Sequence, residues 1–470
     1  MKKKMTFALC FCNRGFMPGE LIYGAREDMV KAVTAAGHDY IMMDAELTRY
    51  GGVETRAEGK LYAEWLRKHQ GEYDGVIFSM PIFVDENGAA EALRDAGVPI
   101  LMQAYPDEIG KMDFAHRRDA MCGKLAMCNL LRQAGITYSL TERFCVDPLS
   151  DEFRADLDRF AAVCRVVGGM KRVNIGAIGA RTTAFKTVRC DEIAFQRMGI
   201  NVETIDMSRV FAEMDALTEC PALENKRALY ASLSDFGKYP PEKLNNIAKL
   251  GVVIDRLIAE YSLDGIAIRC WDELQKRYGV APCLILGELN ERGISAACEL
   301  DITNAVMMRA VGLAANYPVM LLDVNNNCEN ERNKAILFHC GPAPMSLMRG
   351  RGEIREHLMF KKSYGAGSGV GINYGQFIVD DVTLGSFKTE NGKLCAFVSE
   401  GRLTEEQLPD VFFGCGSIFE KKDNGTDANG MLTYMAKNGY RHHVAVTRGH
   451  VGHAIVEAFR DYLGYEIDLV

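Results

Sequence analysis

Short, largely apolar runs alternate with longer amphipathic stretches through the first third of the chain. Thr6–Cys12, Tyr40–Met43, Gly75–Met80 and Pro99–Ala104 are too short for helices and read as buried strands. Between them, Glu20–Ala36, Gly59–His69 and Gly88–Ala96 carry apolar residues at helical spacing. Strand and helix in strict alternation predict a parallel sheet covered by helices. The pattern breaks at a connector, Cys145–Asp151, and a helix follows over Ala155–Val167. A second series predicts strands at Val173–Ile178, Val202–Met207, Gly265–Arg269 and Cys283–Gly287. Beyond about residue 315 the period changes from helical to alternating. Two such runs meet at Asn391-Gly392, a hairpin signal, and "VFFGCGSIF" predicts a further strand before a closing helix at Gly452–Leu463. The predicted fold class is therefore α/β: two Rossmann-like, doubly wound α/β domains (residues 1–165 and 166–315) followed by a β-rich, antiparallel, barrel-like C-terminal domain (316–470).

Composition narrows the class of function. At 470 residues the chain is too long for one core, and 48% hydrophobic with 25% charged residues excludes wholesale disorder. Acidic residues outnumber basic ones, 63 to 55, and the net charge of −8 argues against nucleic-acid or anionic-membrane partners held by bulk charge. Fifteen cysteines with no C-x-x-C pair read as buried, reduced thiols. No apolar run reaches membrane-spanning length, and the one near the N-terminus is too short for a signal peptide. The expectation is a cytoplasmic protein.

Candidate chemistry gathers in the second half. Four of the nine histidines lie in "RHHVAVTRGHVGHAIVEAF", where His442-His443 enter an apolar strand and Arg448-Gly449-His450 leave it. Ligands at the end of a rigid strand suit a metal site. Glu299, in "ACELDITNAVMMR", is either a ligand or a plain acid in the first turn of a helix. Asp323 closes the apolar run Pro318–Leu322 ahead of three asparagines, and is either a ligand or base or the start of an Asx turn. His339 ends the apolar run of "AILFHCGPAP". Glu299, Asp323, His339 and His443 together make an O,O,N,N set which, with positions open to water or substrate, suits Mn²⁺ better than Zn²⁺. "GAIGARTTAF" is a tight strand-to-helix turn without a full phosphate-binding glycine pattern, leaving Arg181, Lys186 and Arg189 in reserve.

These motifs, in this order, resemble the L-fucose isomerase and L-arabinose isomerase superfamily over roughly residues 170 to 455. "ACELDITNAVMMR" resembles the stretch carrying the first metal carboxylate, Glu299 here, and "VMLLDVNN" the strand bearing the second, Asp323. "HHVAVTRGHVGHAIVEAF" resembles the closing histidine motif, whose ligand maps to His443, and His339 takes the place of the extra histidine ligand of arabinose isomerases. "GAIGARTTAF" resembles the opening of the family's second domain. The resemblance implies an aldose–ketose isomerase of a free sugar that uses a divalent cation, usually Mn²⁺, and passes through a cis-enediolate. Glu299 and Asp323 are then the catalytic carboxylates. Arg14, Arg269, Trp271, Asn325, Arg448 and His450 are the candidate sugar contacts. Arg14 resembles an arginine supplied from a neighbouring subunit, which implies a homo-oligomer, by resemblance a hexamer, with a shared site. The substrate stays open between sugars of the L-fucose, D-arabinose and L-arabinose type and a sulfonated hexose such as sulfoquinovose. Two other readings stay open: a sugar-binding or regulatory protein without catalysis, and a metal-dependent epimerase or aldolase.

Overall fold

The computed structural model describes residues 4–408 and 414–470. Its contacts divide the chain into two compact units, Met1–Gly168 and Gly169–Val470. In the first unit, β1 (Thr6–Phe11), β2 (Asp39–Met42), β3 (Gly75–Met80), β4 (Ile100–Ala104) and β5 (Ser139–Leu140) form one parallel sheet, ordered β2-β1-β3-β4-β5. β3 and β4 are buried along their whole length, as continuous apolar runs in a sheet covered on both faces should be. The helix predicted from Gly59 starts earlier, at Arg56, because Thr55 and Glu58 close a capping box across its first turn. Asn13 and Arg14 follow β1 at the point where the strand order reverses, the place where such sheets hold ligands.

The second unit begins with another parallel sheet. β6 (Val173–Ile178), β7 (Ile200–Ile205), the two-residue β8 (Ser234–Asp235), β9 (Gly265–Ile268) and β10 (Ser295–Ala297) come in turn, and four of them pair in the order β10-β9-β6-β7. The strand expected at Cys283–Gly287 is instead a helix, Cys283–Glu291. Its residues from Cys283 to Asn290 are all buried, so it shows no polar face, and a short apolar run buried on every side has no period to separate helix from strand. The true fourth strand, β10, is three residues long and carries too little pattern to register.

The remaining strands are β11 (Val319–Cys328), β12 (Glu331–His339), β13 (Gly352–Glu356), β14 (Val370–Gln376), β15 (Asp380–Glu390), β16 (Lys393–Leu403), β17 (Cys415–Lys421), β18 (His443–Arg448) and β19 (Glu466–Leu469). Six of them close on themselves with antiparallel neighbours throughout, in the ring β16-β15-β18-β11-β12-β17 and back to β16. The barrel-like C-terminal region is thus a closed barrel, with β14 and β19 added in parallel outside the ring. The hairpin at Asn391-Gly392 joins β15 to β16, with both residues left-handed (φ 51° and 74°), the backbone that tight two-residue hairpins demand. The expected strand over "VFFGCGSIF" is seen from Cys415; its Val411–Phe413 lie outside the described residues. The boundary expected near 315 falls inside this unit, at the end of the helix Ile302–Ala315, which packs against both β9–β10 and the barrel strands β11, β15 and β18. Among the described residues no helix is long and apolar enough to cross a membrane.

Candidate functional site

Three adjacent barrel strands deliver three of the expected residues. β11 and β18 run antiparallel with Asp323 directly opposite His443, and on its other edge β11 pairs Asp323 with Phe338, one residue before His339. Met320, Leu322, Val444 and Val446 point into the barrel core. By the two-residue period of a strand, Asp323 and His443 face the other way, out of the barrel. The acid at 323 does not end its strand, since β11 continues through the three asparagines to Cys328.

Glu299 arrives from the other side, in the turn between β10 and the helix Ile302–Ala315. It precedes the helix rather than lying in its first turn. Glu299 and Leu300 are both left-handed (φ 62° and 60°), a conformation that costs a non-glycine residue roughly 1–2 kcal/mol. The turn is tied down on both flanks: Leu300 N–H donates to Ile268 O at the end of β9 (3.0 Å), and Asp301 caps the helix by accepting from Asn304 N–H (3.1 Å). Backbone strain held in this way is characteristic of functional turns.

The four groups converge. Glu299 Oε2 lies 3.2 Å and Asp323 Oδ1 3.4 Å from His443 Nε2, and His339 Nε2 lies 3.9 Å from Asp323 Oδ1. Candidate ligating atoms of Glu299, His339 and His443 all lie within 4.8 Å of one another, as do those of Asp323, His442 and His443. Asp323 Oδ1, His339 Nε2 and His443 Nε2 are buried and have no hydrogen-bond partner. Orphaned polar atoms are rare in folded interiors, and three facing one another ask for a ligand.

The two buried imidazoles are held differently. His443 Nδ1–H donates to Asp301 Oδ2 (2.8 Å), which turns Nε2 to Glu299 and Asp323. His339 Nδ1 instead accepts the backbone N–H of Cys340 (2.8 Å). Asp301 is itself fully buried and accepts from Arg441 Nη1 (2.6 Å), the Thr303 hydroxyl (2.7 Å) and Asn304 Nδ2 (2.7 Å). Burial pushes its carboxyl up, but Arg441 and His443 prevail and hold it well below the usual carboxylate range. Burial likewise works against ionisation of Glu299 but is outweighed by His443, His339 and His442, so its pKa falls below the ordinary value. Burial would lower the His443 imidazole, yet Asp301, Glu299 and Asp323 together raise its pKa to about 10. The cluster sets three carboxylates against one guanidinium, so the surroundings that favour positive charge on this ring also favour a divalent cation before it. The donor set fits one: two or more carboxylate oxygens and an oriented imidazole nitrogen.

Aromatic rings form the rim. Phe185, from "GAIGARTTAF", packs 5.8 Å from the His443 ring, 5.9 Å from His442 and 5.7 Å from Trp271, centroid to centroid. Arg269, just past β9, donates from Nε to Trp271 O (2.8 Å) and lies 4.0 Å from Glu273. Behind the site, burial pushes the thiols of Cys270, Cys283 and Cys340 well up, which keeps them protonated and poor cation ligands. No disulfide joins any of the fifteen cysteines, all of them among the described residues, and Cys122 alone of them is exposed.

Other candidates are not gathered here. Arg448 sits at the far end of β18 from His443 and pairs with Asp380 (2.6 Å); five residues of strand span about 16 Å. His450 lies beyond it, against Gly401 O (3.1 Å). Asn325 is the exposed, unpaired residue of a bulge between Val324 and Asn326, two places from Asp323. Arg14 belongs to the first unit, where its guanidinium donates to Val84 O and Glu86 (both 3.1 Å) and lies over the Phe83 ring. The residues that sequence reasoning passed over are Asp301, Arg441 and Phe185, whereas His442, read together with His443, joins Asp323 and His443. Asp301 had a signal, a helix-capping Asp-Ile-Thr-Asn two residues after Glu299; for Arg441 and Phe185 nothing in the chain announced the contact.

The chain is similar to known sugar isomerases. Residues 8–171 match the family model of the fucose/sulfoquinovose isomerase N-terminal domain, and 337–470 that of the L-fucose isomerase C-terminal domain, together more than half of the chain. A sulfoquinovose isomerase of Priestia aryabhattai is 22% identical over 390 residues, covering 82% of this chain and 83% of its own. One from Alkalicoccus urumqiensis is 26% identical over 289 residues (59% of this chain, 61% of its own). Another, from Clostridium sp. (strain MSTE9), is 22% identical over 368 residues, covering 75% and 76%.

Proposed function

The chain belongs to the L-fucose isomerase superfamily and is a sugar aldose–ketose isomerase, and on that premise we propose that it isomerises a sulfonated hexose with a divalent cation, Mn²⁺ by its donor set. Glu299, Asp323 and His443 would hold the cation. The observation that carries this reading is the convergence of three buried, unpartnered polar atoms, on Asp323, His339 and His443, in a cluster where carboxylates outnumber cationic groups. Each such atom costs about 1–3 kcal/mol unless something satisfies it. When bound, the cation would serve as a Lewis acid toward two adjacent sugar oxygens.

The remaining work falls to the chain's own groups. Glu299 is kept ionised by the imidazoles around it and is available to accept a carbon-bound proton. Asp323, the second carboxylate, is placed to handle the hydroxyl proton, or the two exchange these roles. Asp301 and Arg441 hold His443 in one orientation. Phe185 and Trp271 form an aromatic wall that keeps water from the reacting carbons. Arg269 is the guanidinium on this rim, and a sulfonate would take two of its N–H groups. The relatives' substrate, sulfoquinovose, is the reason for choosing a sulfonated hexose over L-fucose, D-arabinose or L-arabinose. A homo-oligomer that brings Arg14 to a neighbouring subunit's site belongs to the same reading.

The test is an isomerase assay with sulfoquinovose and L-fucose on protein treated with chelator and then resupplied with Mn²⁺. Turnover should vanish with chelator, return with Mn²⁺ and be faster for the sulfonated sugar. Glu299→Gln should be folded and inactive; an active Glu299→Gln enzyme would refute the assignment.

A further inference from the structure

His339 and His443 both aim a buried, unpartnered Nε2 into the same pocket, their ring centroids 5.9 Å apart. Identical at first sight, they are wired oppositely. A ring nitrogen can give its lone pair only if it carries no hydrogen, and which nitrogen carries it is set by what the other one touches. His443 Nδ1 meets the carboxylate of Asp301 and must donate, so Nε2 is the nitrogen that a cation would take in place of a proton. His339 Nδ1 meets the backbone N–H of Cys340 at 2.8 Å and must accept, so Nε2 bears the hydrogen. Turning the His339 ring over would set a carbon against that N–H and leave it unpaired. Asp323 Oδ1 lies 3.9 Å from His339 Nε2, too far for a direct hydrogen bond, so the proton on Nε2 is left for a partner from outside the chain.

We propose that His339 is not a cation ligand but a hydrogen-bond donor, through Nε2–H, to an oxygen of the sugar bound at the Glu299–Asp323–His443 site. This rests on the cation-dependent reading above and divides the two histidines by role: His443 faces the cation, His339 faces the substrate. The oxygen it touches is the hydroxyl or carbonyl oxygen that gains negative charge as the carbon-bound proton leaves, so the contact strengthens along the reaction.

The experiment compares wild type, His339→Gln, His339→Leu and His443→Gln by titrating Mn²⁺ and following the free ion by electron paramagnetic resonance, with turnover measured on the same preparations. Circular dichroism checks the fold of each. Both His339 variants should bind Mn²⁺ within about threefold of wild type, whereas His443→Gln should lose at least a hundredfold. His339→Leu should lose at least a hundredfold in kcat, and His339→Gln, whose amide N–H₂ reaches a similar position, should recover part of it. A second measurement needs no variant: ¹⁵N-histidine spectra of the unsubstituted protein should show His339 as the Nε2–H tautomer with and without Mg²⁺. The proposal is overturned if either His339 variant loses Mn²⁺ affinity as His443→Gln does, if His339→Leu keeps its kcat, or if the spectrum shows Nδ1–H. Failure of wild type to bind Mn²⁺ at all would instead overturn the cation-dependent function.

Discussion

Replacing Asp301 with asparagine preserves shape and removes one charge. The carboxylate is fully buried and accepts from five donors: His443 Nδ1–H, Arg441, the Thr303 hydroxyl, and the backbone and side-chain amides of Asn304. Asparagine keeps one acceptor oxygen and turns an N–H₂ group toward donors already pointing at it. Two losses follow. Arg441, itself buried, is left without its counter-charge, and breaking a buried pair from one side costs about 3–5 kcal/mol. His443 loses the acceptor that fixes its tautomer, and loss of an orienting partner lowers metal affinity about 10–100-fold. That is about 1.4–2.8 kcal/mol at 1.4 kcal/mol per decade. The first quantity is read as a lower midpoint for chemical unfolding in the presence of chelator, the second as a weaker Mn²⁺ dissociation constant at a temperature where the variant is folded. A variant that is destabilised yet binds Mn²⁺ as tightly as wild type would reduce Asp301 to a fold residue and refute the orienting argument. A variant unchanged in both would refute the buried ion pair as well.

Two further predictions concern the scaffold. Lys124 is fully buried in the first unit, donating to Thr141 Oγ1 (2.8 Å) and Phe144 O (2.6 Å), and burial lowers its pKa to about 8. The unfolded chain then binds the extra proton between about pH 8 and 10.4, so this group's contribution to stability rises with pH across that window, by about 3 kcal/mol in full. Lys124→Met should remove that rise; unfolding midpoints of both proteins measured from pH 7.5 to 10.5 check it, and parallel curves would contradict it. Gly392 has φ 74° with open space where a side chain would go, so Gly392→Ala should cost about 1 kcal/mol through backbone conformation alone. Faster amide exchange confined to β15 and β16 would be its signature, and unchanged stability would contradict a left-handed turn.

What could be read from the chain, and what could not, divides along physical lines. Asp323, His339 and His443 were legible because each stands where an apolar strand pattern meets polar residues, and strand periodicity is local. The hairpin at Asn391-Gly392 was legible for the same reason, since the two residues dictate their own backbone. Arg448 and His450 do not join Glu299, Asp323 and His443, because nearness in sequence is not nearness in space along a strand that rises about 3.3 Å per residue. Cys283–Gly287 misled because total burial erases the difference between helix and strand. Asp301 and Phe185 act through partners 142 and 258 residues away in the chain, and no local pattern encodes such a contact.

The register of the barrel decides which residues of β11 and β18 face the site. Asp323 stands opposite His443 because five consecutive pairs, from Val319 with Thr447 to Asp323 with His443, hold β11 against β18. Side chains alternate with a period of two, so a slip of one residue would send Asp323 into the barrel core and Leu322 out toward Glu299. Met320 and Leu322 prevent that slip, because moving β11 would take both away from Val444 and Val446 and out of the core. The placement of Asp323 opposite His443 is thus enforced by apolar residues on the other face of the same two strands. Glu299 alone is set by a strained turn instead of a strand, and that turn depends on Asp301 as helix cap. One carboxylate therefore joins both halves of the site: it fixes the turn that carries Glu299 and the ring of His443 that Glu299 faces.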